Sequence, residues 1–108
     1  MNIKIIGSMD LTTPDLTVTD SIGKATYTEV VTTTGSKIVD AHISFWSNLT
    51  SYTNNEDNIM FNTVVKPLYT FELSVEEIAG ASVEQLTYQK IAESIGIQTG
   101  NTVVVENI

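Results

Sequence analysis

Residues 24–48, KATYTEVVTTTGSKIVDAHISFWSN, decide the fold because they predict a long β-hairpin. The first arm, residues 25–34, is rich in Thr, Val and Tyr, types that suit a pleated, half-buried surface. Gly35 and Ser36 stand where the chain must reverse, and glycine supplies the positive φ that hairpin turns need. The second arm alternates between apolar and polar side chains, which predicts one buried face and one face in water.

This alternation assigns the side chains of the second arm to two faces. The predicted buried side chains are Val39, Ala41, Ile43 and Phe45, and the predicted outward ones are Asp40, His42 and Ser44. Trp46 follows Phe45, so we expect it on the outward face with His42 and Asp40. An aromatic side chain there is a candidate anchor for a partner protein. The alternative is that the helix or an N-terminal arm of the same chain covers it.

The other predicted strands are shorter. Residues 2–6 form an apolar strand that Gly7 ends, and residues 59–65 carry apolar side chains on both faces, which is typical of a central strand. Residues 68–73 alternate again, and residues 102–106 predict a final Val-rich strand. Between the hairpin and the central strand, we expect a polar loop.

Two helical segments follow the sheet residues. Ser74 with Glu77, and Ser82 with Gln85, have the spacing of capping boxes, in which two side chains satisfy the first free amides of a helix. The first box predicts a turn over residues 75–79 that stops at Gly80. The second predicts a helix over residues 83–95 that Gly96 ends, with its apolar face packed on the sheet.

Residues 8–21 lack a strong pattern. They contain Pro14 and several acids, which favour a surface arm over a regular strand. Such an arm is a common means for one subunit to reach another, and Leu16 and Val18 are its candidate contact residues. The alternative is a loop packed on its own domain.

These elements predict a single α+β domain over residues 1–108. The expected architecture is a mostly antiparallel β-sheet with a C-terminal helical segment packed on it and a closing strand. Its parts run in chain order: a possible N-terminal strand and arm (1–23), the sheet (24–73), the helical part (74–96) and the closing strand (97–108).

Composition restricts the classes of function. The net charge is −8, from thirteen acids and five bases, and all five bases are scattered lysines. Phosphate recognition needs clustered Arg and Lys, so we expect no direct nucleic acid binding and no attraction to anionic membranes. The chain has no cysteine, which excludes disulfides and thiolate metal sites. It shows no signal-peptide pattern and no apolar run near the ~20 residues of a membrane helix.

No catalytic or cofactor signature is present. Asp40 and Ser44 flank His42, but side chains two positions apart on a strand project side by side about 7 Å apart, whereas catalytic triads converge from separate segments. We therefore expect no enzyme activity and no cofactor. The remaining candidate is a run of oxygen donors that calcium favours, although the EF-hand spacing is missing and a solvated turn explains it: Asn54, Asn55, Glu56, Asp57 and Asn58.

The whole chain resembles the small auxiliary virion proteins of tailed bacteriophages, of the decoration or cement type. The likeness lies in a short, acidic chain without cysteine or arginine, with segments such as VTTTGSK (31–37) and TNNEDN (53–58) around its strands. The resemblance implies a non-enzymatic protein present in many copies in the virion, bound to the capsid lattice, with the major capsid protein as partner. One alternative is a neck or tail component that forms a ring as a homo-oligomer. Another is a small calcium- or ligand-binding module.

Overall fold

The computed structural model describes residues 1–12, 15–56 and 68–107 and confirms the α+β class. Within these residues, five strands and three helices follow one another. In order they are β1 (Asn2–Thr12), β2 (Asp15–Val31), β3 (Lys37–Trp46), α1 (Leu49–Thr53), β4 (Leu68–Leu73), α2 (Val75–Gly80), α3 (Val83–Thr99) and β5 (Val103–Glu106). The predicted strand over residues 59–65 lies outside the described residues.

The strands form one antiparallel sheet in the order β4-β3-β2-β1-β5. Strand β2 has 17 residues and pairs with β1 through its first half and with β3 through its second half. The predicted hairpin is therefore correct, and its turn closes with a hydrogen bond of 2.8 Å from the Thr32 amide to the Ser36 carbonyl. The first and last strands, β1 and β5, lie side by side.

The expectation of a surface arm over residues 8–21 was wrong, because residues 8–12 of β1 pair with residues 15–19 of β2 and extend the β1–β2 ladder. Strand β1 does not end at Gly7. A β-bulge at that point places two residues of β1 opposite Asp20, and Gly7 adopts a φ of 92°. The Gly7 amide donates a hydrogen bond of 2.8 Å to the Asp20 carboxylate, which stabilises the bulge. The ladder then continues to the Thr12–Asp15 pair.

Helix α3 covers one face of the sheet and forms the core with it. Phe45 is 2% exposed, as its place on the predicted buried face requires. The helix contributes buried residues at the expected spacing: Leu86, Thr87, Tyr88, Ile91, Ala92 and Ile95. The molecule thus has two layers, with the helix on one side of the sheet.

Helices α2 and α3 begin at the predicted N-caps, but α3 ends later than predicted. Ser74 and Glu77 form the predicted capping box, and the Ser82 hydroxyl accepts a hydrogen bond from the Gln85 amide. The predicted end of α3 at Gly96 was wrong: the helix tolerates this glycine and continues to Thr99, where Gly100 caps it in the left-handed conformation.

The segment after β3 also differs from the predicted loop. Residues 49–53 form the short helix α1, because the Asn48 side chain accepts a hydrogen bond of 2.9 Å from the Ser51 amide and caps its first turn. This helix contacts β2 and β3 and so lies over part of the sheet.

Tyr88 completes the sheet where β1 stops. The β1–β2 ladder begins at the Ile3–Gly23 pair, so Ala25 lies beyond the start of β1. The Tyr88 hydroxyl accepts a hydrogen bond of 2.9 Å from the Ala25 amide and donates one of 3.3 Å to the Ala25 carbonyl. Tyr88 is 2% exposed, and this burial raises the pKa of its hydroxyl. The helix thus supplies the hydrogen bonds that a further residue of β1 would have made.

Thr87 is a buried polar residue without a hydrogen bond. Its side chain is fully buried in the core face of α3, and its hydroxyl has no partner among the described residues. We expect Thr87→Val to raise the free energy of unfolding by about 1–3 kcal/mol, because the valine keeps the shape and removes an unsatisfied group. Urea denaturation followed by circular dichroism measures this change.

Thr99→Val is the matched control for this prediction. The Thr99 hydroxyl donates a hydrogen bond of 2.8 Å to the Ile95 carbonyl and accepts one of 3.2 Å from the Asn101 amide, so its loss should destabilise the protein. A Thr87→Val protein that is no more stable than wild type would contradict the interpretation.

Candidate functional site

The face of the sheet opposite α3 carries a regular array of exposed side chains. We call this array the open face. It has three rows that cross β2, β3 and β4 in register: Val30–Ile38–Glu72, Thr28–Asp40–Thr70 and Thr26–His42–Leu68. All nine residues are exposed. The array contains three threonines, three aliphatic residues, two acids and one histidine.

The open face is a direct result of strand alternation. Along β3, the side chains alternate between buried and exposed from Val39 to Phe45, as the sequence predicts. The pairing of β3 with β2 and β4 extends the same alternation to both neighbours. Asp40 and His42 are thus where the sequence placed them. The neighbours that complete the array come from the register of the sheet, which the sequence did not give.

Hydrogen bonds hold both acids of the open face. Thr70 donates a hydrogen bond of 2.7 Å from Oγ1 to the Asp40 carboxylate, across the β3–β4 pair. Ser36 donates one of 3.0 Å from Oγ to Glu72 Oε1. These bonds fix the carboxylates in the plane of the array. The open face therefore presents mostly hydroxyl and aliphatic groups, with a shallow concavity of about 370 Å³ beside His42.

The structure does not assemble His42 with its neighbours into a catalytic set. His42, Asp40 and Ser44 share a face, as expected. However, no hydrogen bond joins His42 to either residue in the described part of the chain, and Asp40 is bound to Thr70 instead. The three side chains stand in a line along one strand.

Trp46 lies on the outward side of the sheet and is half-buried. Its Nε1 donates a hydrogen bond of 2.8 Å to the Glu56 carbonyl, and its ring meets the Tyr52 ring edge-on at a centroid distance of 5.0 Å. The Lys24 ammonium donates to the Tyr52 hydroxyl at 3.1 Å, and this bond raises the pKa of Lys24. Residues 48–56 thus cover part of Trp46. The possible covers expected from the sequence were the C-terminal helix and an N-terminal arm.

The structure contradicts the contact role predicted for one residue of the arm and leaves that of the other untested. Val18 is 3% exposed and belongs to the core, because the β1–β2 hairpin brings it opposite Met9. It has no surface to offer a partner, so its proposed contact role is corrected. Leu16 pairs with Leu11 in the same ladder, and its contact role remains a prediction.

Within residues 1–12, 15–56 and 68–107, no three His, Cys, Asp or Glu side chains lie close enough together to hold a metal ion. Asp10 accepts a hydrogen bond of 2.6 Å from Thr17, and Asp20 stabilises the bulge at Gly7. Of the proposed calcium loop, residues 57 and 58 lie outside the described residues. The geometry of that loop therefore does not test the calcium prediction.

Among the helices at residues 49–53, 75–80 and 83–99, none combines the length and apolar content that crossing a lipid bilayer requires. Comparison of the chain with models of protein families, with curated proteins and with solved structures found no match.

Proposed function

We propose that this protein is a non-enzymatic structural component of a virion, a capsid auxiliary protein that stabilises contacts between major capsid subunits. The observation that carries the proposal is the open face, an array of nine exposed residues on a sheet that has α3 on its other side. The resemblance in composition to decoration proteins supplies the class of partner.

The chemistry of the open face suits contact with another protein. Protein interfaces are depleted in charged side chains at their centres, and six of the nine residues of the open face are threonine or aliphatic. Val30, Ile38 and Leu68 supply aliphatic surface, and Leu68 is 66% exposed. The two acids are already hydrogen-bonded within the sheet, so covering them costs less than covering free carboxylates.

The size of the open face favours binding in many copies. Three strands and five residues along each strand span roughly 10 by 14 Å between Cα atoms. This is well below the ~800 Å² that each partner buries in a standard interface. A single copy would then bind weakly, whereas a lattice of repeated sites allows many weak contacts to act together.

The charge of the chain supports a position on the outside of a capsid. A net charge of −8 favours solubility and repels packaged DNA. Localisation in the virion follows from the proposed role.

Leu68→Asp tests the proposed surface. We expect it to weaken binding to capsids assembled from the major capsid protein of the same source by at least about tenfold, because a carboxylate would be buried at the contact. Co-sedimentation of purified protein with capsids measures the change. Ile97→Asp is the matched control, since Ile97 is 86% exposed on α3, away from the open face.

Two results would contradict the proposal. If the wild-type protein fails to bind capsids, the structural role is wrong. If Leu68→Asp and Ile97→Asp weaken binding equally, the role stands but the open face is not the contact surface.

A second candidate is a ring-forming neck or tail component. Its motivating observation is the outermost strand β4, which pairs on one side only within the described sheet. Light scattering after size exclusion separates the candidates. A discrete ring-sized oligomer favours the neck or tail component, and a monomer or small oligomer favours the decoration protein.

A further inference from the structure

The outer edge of β5 has free backbone groups. In an antiparallel ladder, alternate residues direct their N–H and C=O groups to the same neighbour. The Ile6 amide donates a hydrogen bond of 2.8 Å to the Thr102 carbonyl, so Thr102, Val104 and Glu106 face β1. The backbone groups of Val103 and Val105 therefore point away from the sheet, and neither residue has a partner there in the described structure.

A groove accompanies this edge. It lies between β5 and α3, has a volume of about 380 Å³, and is lined by Gln89, Ala92, Glu93, Gly96, Val103 and Val105. Ala92 and Gly96 are small, so the helix leaves room beside the two valines. A strand added to β5 would direct every second side chain into this groove.

The charges around the groove favour a basic occupant. Glu93 lines it, and Glu106 ends β5, and neither carboxylate forms an ion pair in the described structure. Lys90, the lysine on α3, is bound to Glu77 at 3.0 Å. An added strand that carries lysine or arginine would be attracted to both free acids.

The edge strand itself lacks most features that prevent strand addition. Proteins protect sheet edges with lysine, proline, bulges or short strands. Strand β5 has the sequence VVVE and uses only short length. A second copy of this chain is a poor occupant, because its outermost strands, VVVE and LYTFEL, each carry a glutamate and no lysine. The net charge of −8 also disfavours self-association.

We propose that the edge of β5 and the adjacent groove bind an extended, basic segment of a partner protein by strand addition. The segment alternates small apolar residues, which enter the groove beside Val103 and Val105, with lysine or arginine on its other side, where Glu106 lies. It covers about four residues, the length of β5. This site is separate from the open face and does not depend on the capsid role.

The test uses the purified protein and a synthetic peptide, acetyl-Lys-Val-Lys-Val-Lys-Val-amide. We expect binding by NMR titration, with the Val103 and Val105 amides shifting and gaining protection from hydrogen exchange. The Val104 amide, which already faces β1, should change little and is the internal reference. The matching peptide with glutamate in place of lysine should not bind.

Protein variants separate strand addition from general charge attraction. Glu106→Lys should weaken peptide binding by at least tenfold, and Glu76→Lys, the same change at an exposed residue of α2, should weaken it far less. Val105→Pro removes one outward amide and blocks the edge, so it should abolish binding while circular dichroism shows a folded protein.

Each of three outcomes would overturn the proposal. One is that the lysine peptide does not bind the wild-type protein. Another is that Glu106→Lys and Glu76→Lys weaken binding equally, which would indicate charge attraction alone. The third is concentration-dependent broadening of the Val103 and Val105 amide signals without peptide, which would show that a second copy occupies the edge. None of these measurements uses capsids, so they leave the proposed virion role untouched.

Discussion

Phe45→Ala should lower the free energy of unfolding by about 3–5 kcal/mol, the usual cost of removing a fully buried aromatic side chain. Phe45 is 2% exposed and lies opposite Gly23 on β2. A Cβ at Gly23 would lie 2.9 Å from Phe45 Cε1, so the ring occupies the space above the glycine. Since glycine has no side chain to fill the resulting cavity, we expect a value in the upper half of the range. Urea denaturation measures it.

Trp46→Ala is the control for this prediction. The two residues are adjacent, but Trp46 is half-buried and lies on the outward side of the sheet. Its replacement should cost clearly less stability, chiefly by freeing the segment that contacts it at Glu56 and Tyr52. Equal losses in the two variants would show that the assignment of faces is wrong.

Tyr88→Phe should cost about 2–4 kcal/mol, which is large for the loss of a single hydroxyl. The hydroxyl satisfies both backbone groups of Ala25, and both hydrogen bonds are buried. Each buried group left without a partner costs about 1–3 kcal/mol. Urea denaturation again measures the change. Tyr69→Phe is the matched control, because the Tyr69 hydroxyl accepts an exposed hydrogen bond of 3.2 Å from Gln98 Nε2.

Replacing Tyr88 should also change how the free energy of unfolding depends on pH. Burial raises the pKa of Tyr88 above its unfolded value of about 10. A raised pKa in the folded state means that its contribution to stability is present below pH ~10 and is lost as the pH rises further. Above pH ~10, the free energy of unfolding of Tyr88→Phe should therefore fall less steeply with rising pH than that of the wild type. A loss of stability no greater than that of Tyr69→Phe, with an unchanged alkaline profile, would contradict this role.

Local patterns in the sequence were sufficient for much of the fold. The alternation along β3 depends only on the burial of one face, and it assigned Phe45 and His42 correctly. The Ser74–Glu77 capping box is likewise a contact between residues close in sequence. The hairpin turn before Lys37 follows from a glycine between two strand-forming segments.

Features that depend on distant residues were not predictable. The bulge at Gly7 is stabilised by the Asp20 carboxylate from the next strand. Sequence patterns around Gly7 alone predict that the strand ends there. The end of α3 moved from Gly96 to Thr99 because a second glycine, Gly100, supplied the cap. In both cases a glycine was taken as an end point, whereas the surrounding contacts allow the element to continue.

In the candidate site too, local features were predictable from the sequence and features that depend on distant residues were not. The sequence placed Asp40 and His42 on one outward face but gave no means of finding Thr70 and Leu68, which join it through the β3–β4 register. It also gave no sign that the chain after β3 returns to cover Trp46. Val18 was misassigned because the hairpin that buries it was not recognised.

The adjacency of β1 and β5 has a consequence for the order in which the chain folds. Strands β1, β2 and β3 are consecutive and can pair through short turns, whereas β5 must reach β1 across nearly the whole sequence. Contacts between residues far apart in sequence slow folding, because the chain entropy is lost before the contact forms. We therefore expect the outer edge of β1 to stay unpaired until residues 103–106 arrive, which leaves this edge open to pairing with another chain while the protein folds.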